Sequence, residues 1–356
     1  MKGKSHMSNK MNESQIFLGM DVGFGDVKVT VRGADSRFPE ERFKFPSVVA
    51  FDKSSIEPNE KKNRFAFKGH VYLLGQDAVH ENNCIEYDCF DSLLNNYPLF
   101  IYKAMHEAAK LYDMETVDFI GLEKSICLGV PLGFFVDYKD RLQKIMESFE
   151  GEKTRFDLKG RVNVKVQGQG VLLDFIRKSE PKFRRWYGRR RTVTILDIGY
   201  NLINVLCVEG GRPNGRLSKM LVGKGVRILA ETVRSYLKDK YNCRELTDHY
   251  VKEVLEKKTI VYDGNIIDLS DYIEEQTRDY AKIVSSQLEN NIGAFRRRSE
   301  KIIIAGGGAY YLEPELKKKF GGGNIEDYVY CPECPEFSNS RGYCEAADLI
   351  PRRLRR

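Results

Sequence analysis

Two short stretches built on the same plan constrain the fold of this chain more than any other feature. The run 195–201 is apolar and β-rich, reaches a carboxylate at Asp197 and turns over Gly199. The run 16–31 does the same with Asp21 and a glycine turn, before a return strand at 26–31. A carboxylate at the end of a buried strand, beside exposed backbone N–H groups, can hold hydrated Mg²⁺ next to a phosphate chain. The repetition predicts two related halves that clamp one nucleotide between two carboxylates.

Each stretch taken alone also fits an ordinary hairpin turn. The first turn contains Gly23, Phe24 and Gly25, with Lys28 on the return strand. It matches neither the GxxxxGK[ST] phosphate loop nor the GxGxxG turn that opens a helix in dinucleotide-binding folds. A phosphate-binding hairpin is therefore the functional interpretation, and a plain turn is the alternative.

Two further glycine-rich segments are candidate ligand contacts. The strand 302–305 runs into Gly306, Gly307 and Gly308, where the missing side chains would let a flat base or ribose approach the backbone. The alternative is a simple turn into a helix at 313–320. Gly225 precedes a helix predicted at 226–238, and it either brings the helix start close to a ligand or serves as a turn.

A glutamine marks a junction between a strand and a helix. Gln167 lies between the strand predicted at 162–166 and a short helix predicted at 171–176. Its amide could orient a water molecule without taking a proton from it, which is what NTP hydrolysis requires near the γ-phosphate. The alternative is a loop amide exposed to solvent.

Hydrophobic spacing predicts the remaining elements. The other predicted strands are 42–51, a pair within 65–78 joined at 69–70, 125–130 and 201–208. The other predicted helices are 98–111, 138–149 and 271–292.

Length and composition limit the class of protein. A chain of 356 residues exceeds the usual span of one hydrophobic core, so two domains are expected. The chain is 42% hydrophobic and 31% charged, without an apolar run long enough to cross a membrane and without a signal peptide. We therefore expect a cytoplasmic protein with no membrane partner. Residues 1–14 are polar and aperiodic, and we expect them to be a disordered tail or a tag.

The cysteines suggest free thiols more than a disulfide framework, since eight occur in a long chain without a secretion signal. Cys331 and Cys334 form a CxxC pair, and Cys344 follows nearby. Structural zinc sites generally use four ligands, and no second pair occurs at ribbon or finger spacing. A structural or incidental role is therefore favoured over a metal site.

The net charge of +7 is concentrated in two clusters. One arginine-rich segment spans 184–191 and includes Trp186 and Tyr187, and the other is the terminal 352–356. Basic clusters with aromatic neighbours can bind nucleic acid, but a solvated loop is the commoner outcome. DNA, an acidic partner and solvent all remain possible environments for these clusters.

The order of the motifs resembles a known superfamily. The segments 21–25 with Lys28, 197–201 and 306–309 follow the order of the phosphate-1, phosphate-2 and adenosine motifs of actin, sugar kinases and heat-shock chaperones. The segments 69–78, 164–174 and 335–343 are similar, more narrowly, to prokaryotic actin-like ATPases. ParM-type plasmid-segregation proteins and their archaeal actin relatives provide the nearest resemblance, which spans residues 15–350.

This resemblance implies an α/β, actin-like (ribonuclease H-like) two-domain ATPase fold with the nucleotide in the interdomain cleft. Domain I would comprise 15–165 and domain II 166–335, and 336–356 would return to domain I with a basic tail. It also implies head-to-tail filaments of this chain, with ATP or GTP hydrolysed after assembly in the presence of Mg²⁺. The implied partner is a ParR-like DNA-binding adaptor, with plasmid DNA as an indirect cargo.

The resemblance also assigns site residues. Asp21 and Asp197 would hold Mg²⁺ through water, and Gln167 would position the attacking water. The implied nucleotide contacts are Gly23, Phe24, Gly25, Lys28, Gly199, Tyr200, Asn201, Gly225, Gly306, Gly307 and Gly308.

Four residues depart from the pattern of the family. Leu202 stands where a hydroxyl residue is common, Asn204 where an acid is common, Val166 where proline is common, and Asp26 where a neutral polar residue is common. Losing a hydroxyl hydrogen bond to a charged group costs about 1.5–3 kcal/mol where the site uses it. Two alternatives to a filament-forming ATPase follow: a small-molecule kinase of the same superfamily, or a nucleotide-binding scaffold with weak hydrolysis.

Overall fold

The computed structural model describes residues 15–52, 64–79, 81, 83–87, 89–150, 155–179, 191–243, 246–321 and 328–354. The chain divides into two compact units. Unit 1 comprises Met1–Lys178 and Phe337–Arg356, and unit 2 comprises Ser179–Glu336.

Unit 1 is built from strands and helices that alternate along the chain. Its strands are β1 Gln15–Val22, β2 Asp26–Gly33, β3 Glu41–Pro46, β4 Val49–Phe51, β5 Arg64–Phe67, β6 His70–Leu74, β7 Cys84–Ile85, β8 Glu123–Val130, β9 Ser148–Glu150, β10 Arg155–Asp157 and β11 Val162–Val166. Its helices before the first boundary are α1 Gln76–Val79, α2 Phe90–Asn95, α3 Tyr97–Leu111, α4 Thr116–Gly121, α5 Phe135–Glu147 and α6 Gln169–Lys178, with a 3-10 turn at Leu132–Phe134.

Unit 2 follows, and the chain then returns to unit 1. The strands of unit 2 are β12 Thr192–Ile198, β13 Leu202–Glu209, β14 Arg212–Pro213, β15 Lys219–Val222, β16 Thr259–Tyr262, β17 Asn265–Asp268, β18 Lys301–Ala305 and β19 Val329–Tyr330. Its helices are α7 Arg227–Tyr241, α8 Asp248–Lys257, α9 Ser270–Arg298 and α10 Ala309–Phe320. A 3-10 turn at Pro335–Phe337 leads to α11 Ser338–Leu354, which lies in unit 1.

The main sheet of unit 1 has the order β11-β8-β1-β2-β3. β1 is antiparallel to β2 and parallel to β8, and β8 is parallel to β11. The carboxyl ends of β1, β8 and β11 therefore meet at one edge of the sheet, which is where ligands bind in open α/β sheets. Asp21 lies near the end of β1, and Gln167 directly follows β11.

β1 is buried on both faces, which explains its continuous apolar run. Ile16, Leu18 and Met20 belong to the large core that includes α3. Phe17 belongs to a second cluster with α11, and a Cβ at Gly19 would lie 2.0 Å from the carbonyl oxygen of Ser340. The C-terminal helix thus packs directly on the backbone of the central strand.

The predicted boundary at 165/166 differs from the boundary of the compact units, because α6 packs against α11 and stays with unit 1. This helix pair is tight: a Cβ at Gly342 would lie 1.8 Å from the carbonyl oxygen of Gly170. A buried ion pair joins the two helices: Arg341 Nε of α11 donates to Asp174 Oδ1 of α6 at 2.9 Å. Ser338 Oγ donates to Asp174 Oδ2 at 2.8 Å.

The prediction of one strand at 42–51 was wrong. The chain forms β3 in the main sheet and β4 in a separate sheet of order β5-β6-β4-β7. The break falls at Ser47, whose N–H donates to the carbonyl of Gly25 at 3.1 Å and whose hydroxyl donates to the carbonyl of Gly23 at 2.6 Å. These bonds replace the strand ladder at that residue.

Two helices begin or end at residues other than those predicted. The helix predicted at 138–149 begins at Phe135 and stops at Glu147, because the next residues form β9, in which Phe149 stacks on Phe156 of β10 at 4.2 Å. The helix predicted at 313–320 begins at Ala309, directly after the three glycines. Helix spacing is a poor guide to helix ends, because the first and last turns need not carry core residues.

Unit 2 repeats the pairing scheme of unit 1. Its main sheet has the order β14-β13-β12-β18-β19, and β15 also pairs with β13. β12 is antiparallel to β13 and parallel to β18, and β18 is parallel to β19. The predicted similarity of the two hairpins thus extends to the strands beside them.

Within the described part of the chain, no helix is both long enough and apolar enough to span a bilayer.

We expect Asp174→Asn to lower the free energy of unfolding by about 3–5 kcal/mol, because it removes the negative charge that pairs with the buried Arg341 guanidinium. Urea denaturation followed by circular dichroism measures this loss. The matched control is Asp91→Asn, since Asp91 is exposed and pairs with Arg141. That change should cost less than about 1 kcal/mol, and equal losses for both variants would contradict the role assigned to the buried pair.

Candidate functional site

Asp21 lies at the end of β1 with only 8% of its surface exposed. Gln167 Nε2 donates to its Oδ1 at 2.9 Å, and the side chain of Asn339 donates a second hydrogen bond. Burial raises the pKa of Asp21, while the positive charge of Lys28 and the two amide bonds act in the opposite direction. A buried carboxylate with net desolvation cost is suited to bind a cation, which would compensate for the water it has lost.

The turn after Asp21 leaves backbone donors available. Gly23 N–H donates to the carbonyl of Asp26 at 3.1 Å, and Ser47 occupies the carbonyls of Gly23 and Gly25. Among the described residues, the N–H groups of Phe24 and Gly25 have no hydrogen-bond partner. Two consecutive free N–H groups beside a carboxylate form a small anion-binding concavity.

Lys28 lies directly opposite Asp21 in the hairpin. Its Nζ donates to the carbonyl of Asp26 at 3.1 Å, and a Cβ at Gly23 would lie 3.5 Å from that Nζ. The cation therefore covers the turn, where it adds positive charge beside the free N–H groups. The structure brings Asp21, Gln167, Lys28 and the first glycine turn together.

Asn339 is a further member of this group that residue-by-residue reasoning did not single out. It is 2% exposed, and its Oδ1 accepts the N–H groups of Gly168 at 3.0 Å and Val171 at 3.3 Å. It therefore caps the start of α6 while its amide group bonds Asp21. Only the packing of α11 on α6 brings it there, so no local sequence signal could have assigned this role.

In unit 2, Asp197 is 6% exposed and lies opposite Asn204, whose Nδ2 donates to its Oδ2 at 3.3 Å. Gly199 N–H donates to the carbonyl of Leu202 at 2.9 Å, which is the same turn as in unit 1. Asn204 therefore occupies the position that Lys28 occupies in unit 1.

The second turn also presents two consecutive donors, since the N–H groups of Tyr200 and Asn201 have no partner among the described residues. The side chain of Tyr200 packs against the core of unit 2, with Lys252 Nζ 4.9 Å from the ring centroid. Burial and the neighbouring Asp248 carboxylate raise the pKa of its hydroxyl. Only the backbone of Tyr200 is thus available at the turn.

Gly225 packs against the backbone of this second turn. A Cβ there would lie 2.3 Å from the carbonyl oxygen of Tyr200. The next two N–H groups, of Val226 and Arg227, donate to the carbonyls of Gly199 at 3.1 Å and Tyr200 at 2.8 Å. The requirement for glycine at residue 225 therefore comes from close backbone packing, and the start of α7 holds the turn in place.

The three glycines after β18 have different surroundings. Gly306 has φ +83°, and a Cβ there would lie 2.4 Å from the carbonyl oxygen of Ile198. A Cβ at Gly308 would lie 2.2 Å from Cγ2 of Ile198, whereas Gly307 has no heavy atom within 4 Å of such a position. The outer two glycines thus fit the turn against β12, and Gly307 alone leaves open space for a flat ligand.

Each turn, taken by itself, has groups that fit a magnesium nucleotide. Mg²⁺ is usually held by one or two carboxylates together with substrate phosphates and water, rather than by a cage of protein ligands. Asp21 and Asp197 are such carboxylates, each followed by a turn with two free N–H groups. In the described ranges, no group of three or more His, Cys, Asp or Glu side chains could hold a metal ion.

The arginine clusters and the cysteines are not part of the two turns. Residues 184–190 of the first arginine cluster lie outside the described residues, as do the side chains of 352–356. All eight cysteines are free thiols. Burial, followed by the neighbouring carboxylates, raises the pKa of the Cys331 thiol to about 12, so it is a poor nucleophile at neutral pH.

Two family models match the chain. A model described as the N-terminal domain of actin like proteins matches residues 19–170. A model described as the C-terminal domain of an archaeal, MreB-like actin homologue matches residues 195–318. No curated protein matches the sequence.

Solved structures match almost the whole chain. An archaeal actin homologue, Ta0583, matches with a TM-score of 0.71 and 19% identity, over 94% of this chain and 98% of that one. A ParM from a 15-stranded filament of Clostridium botulinum matches with a TM-score of 0.68 and 18% identity, over 95% and 99%. Bacillus thuringiensis ParM with ATP matches with a TM-score of 0.66 and 16% identity, over 96% and 99%. At these identities the likeness establishes the fold.

We expect Gly225→Ala to lower nucleotide affinity at least tenfold and the free energy of unfolding by about 1–3 kcal/mol, because the added methyl group must displace the carbonyl of Tyr200. Isothermal titration with ADP and Mg²⁺, together with urea denaturation, measures both effects. Gly215→Ala is the control, since a Cβ at Gly215 meets nothing within 4 Å. A Gly225 variant with wild-type affinity would show that the second turn does not contact the nucleotide.

We expect Asn339→Asp to weaken Mg²⁺–ADP binding about tenfold, since the loss of a hydrogen bond to a charged group costs about 1.5–3 kcal/mol. The new carboxylate still accepts the N–H groups that cap α6, so hydrogen exchange at Val171 should stay slow. Asn339→Ala should weaken binding and also speed this exchange, whereas the neighbouring Ser340→Ala should leave both unchanged. Unaltered binding in both Asn339 variants would contradict the role of this amide.

Proposed function

The chain is an actin-like protein, and on that premise we propose that it is a nucleotide-dependent, filament-forming ATPase. The observation that carries this proposal is the repeated Asp–x–Gly turn, which occurs once in each unit with the same strand register and the same hydrogen bond across the turn. Each copy combines a buried carboxylate with two consecutive free N–H groups. These are the groups that a polyphosphate and Mg²⁺ require.

The residues of the site then have distinct roles. Asp21 and Asp197 hold the waters of Mg²⁺, which supplies charge neutralisation at the phosphates. The N–H groups of Phe24, Gly25, Tyr200 and Asn201 bind phosphate oxygens, with Lys28 and the N–H groups of Gly23 and Gly199 supporting the turns. The open side of Gly307 accepts the nucleoside, and Gly306 and Gly308 shape that turn.

Gln167 is placed to orient the attacking water. Its Nε2 donates to Asp21, which fixes the orientation of the amide. Its Oε1 then accepts a hydrogen bond from a water and aligns that water without removing its proton. Gln167 is 6% exposed, so burial restricts its rotamers and keeps the amide in one orientation.

Structures of similar proteins support the nucleotide and the filament. The archaeal homologue has been solved with ADP, the Bacillus thuringiensis ParM with ATP, and the Clostridium botulinum ParM as a filament. We infer that this chain binds ATP, or GTP in its place, and polymerises with copies of itself in the cytoplasm. By the same likeness, a DNA-binding adaptor of the ParR kind would link the filament to plasmid DNA.

Light scattering and phosphate release after addition of ATP and Mg²⁺ test this proposal. The wild-type chain should polymerise and then release phosphate. Asp197→Ala should abolish both, because the Mg²⁺ complex is no longer held. Gln167→Ala should polymerise but release phosphate about 10²–10³-fold more slowly, in the range expected for loss of a positioned catalytic contact.

Gln143→Ala is the matched control, because Gln143 lies on α5 and, among the described residues, its side chain bonds Glu147 of the same helix. It should behave as the wild type. A wild-type chain that stays monomeric at high concentration with ATP and Mg²⁺ would refute the filament. ATP consumption that requires an added metabolite would point instead to a small-molecule kinase.

A further inference from the structure

Ser47 is a buried serine whose two hydrogen-bond donors both bond the first glycine turn. It is 1% exposed and directly follows β3. Its hydroxyl donates to the carbonyl of Gly23 at 2.6 Å, and its N–H donates to the carbonyl of Gly25 at 3.1 Å. Ser47 therefore holds the backbone on both sides of Phe24.

The strand register explains why Ser47 reaches this turn. Asp26 is the first residue of β2 and pairs with Pro46, the last residue of β3. The next residue of the chain, Ser47, thus lies beside Gly25, just beyond the paired strands. Proline has no N–H group for a strand ladder, so β3 ends there and the donors of Ser47 serve the turn.

Ser47 is itself held in place by the residues that follow it. Val48 is 4% exposed and packs in a small core with Ala50 and Leu73. The carbonyl of Val48 accepts the N–H of Gly75 at 2.9 Å, and β4 begins at the next residue. A donor that is fixed by packing and by neighbouring hydrogen bonds restricts the group to which it donates. The two bonds of Ser47 therefore restrict the turn.

A bond to the carbonyl of Gly23 also sets the direction of the N–H of Phe24. The two groups belong to the same peptide unit, which is planar, and the described peptide bonds are all trans. In a trans peptide unit the carbonyl and the N–H point in opposite directions. The hydroxyl of Ser47 thus directs the N–H of Phe24 away from Ser47, and this is one of the two free donors of the first turn.

The second turn obtains the same control from backbone donors. The N–H of Val226 bonds the carbonyl of Gly199 at 3.1 Å and so directs the N–H of Tyr200. The N–H of Arg227 bonds the carbonyl of Tyr200 at 2.8 Å and so directs the N–H of Asn201. In the first turn a side-chain hydroxyl makes the corresponding bond, so one substitution can remove it without changing the backbone donors.

We propose that Ser47 is a positioning residue for the phosphates of the bound nucleotide. Its hydroxyl holds the N–H of Phe24 in the direction from which a phosphate oxygen is bound, and Ser47 itself lies on the opposite, carbonyl side of that peptide unit. A donor that is oriented in advance needs no reorganisation when the anion binds. This inference rests on the proposed function, because it assumes that the first turn binds phosphate.

Isothermal titration of Ser47→Ala with Mg²⁺–ADP and, separately, with adenosine tests the proposal. The affinity for ADP should fall about 3–10-fold, as expected for the loss of one hydrogen bond between neutral groups, and the affinity for adenosine should stay unchanged. Ser285→Ala is the matched control. Ser285 is also buried and its hydroxyl also donates to a carbonyl at 2.6 Å, but that carbonyl belongs to Ala281 of the same helix. This variant should bind both ligands as the wild type does.

The comparison of the two ligands separates positioning from a general structural role. Equal losses for ADP and adenosine, or no loss for either, would overturn the proposal. A wild-type chain that binds neither ADP nor ATP would overturn the proposed function and this inference with it. Normal binding of ADP by both the wild type and Ser47→Ala would overturn this inference alone.

Hydrogen exchange of the wild-type chain tests the same point if Ser47→Ala does not fold. A bound phosphate should fix the turn, so the N–H of Ser47 should exchange at least tenfold more slowly with Mg²⁺–ADP than without it. The N–H of Gly75, which bonds Val48, is the internal reference and should change less. Exchange at Ser47 that ADP does not slow would overturn the proposal.

Discussion

The buried ion pair between Arg341 and Asp174 is the interaction on which the arrangement of the unit 1 site depends. It fastens α11 to α6, and the glycines at 170 and 342 allow the two backbones to touch. Asn339 lies two residues before Arg341 on α11 and is thereby held against Asp21 and the start of α6. A buried pair of this kind adds little net stability but is costly to break, so it determines the position of the helix more than it stabilises the fold.

The carboxylates of the two turns have different neighbours. In unit 1, Lys28 and two amide groups offset the burial of Asp21. In unit 2, Asn204 takes the position of the lysine and donates to Asp197 without adding positive charge.

Much of the fold could be predicted because the relevant signals are local. The Asp–x–Gly turns and the apolar runs of β1, β12 and β18 are readable from residue order, and the expected actin-like fold is confirmed. The break at Ser47 was missed because it depends on hydrogen bonds to the distant Gly23 and Gly25. The strand β9 was missed because Phe149 continues the apolar spacing of α5. Gly225 and Gly308 were assigned to a ligand by pattern, whereas their requirement for glycine comes from the backbone and side chain packed against them.

The sequence by itself determined the two turns, since strand, aspartate and glycine act over a few residues and fix the local backbone. It also determined the excess of positive charge. Only the tertiary structure decided that Asn339 reaches Asp21 and that Gln167 bonds the same carboxylate. These residues are separated by tens to hundreds of positions, and hydrogen bonds and charges act between them only after the sheets and helices have packed.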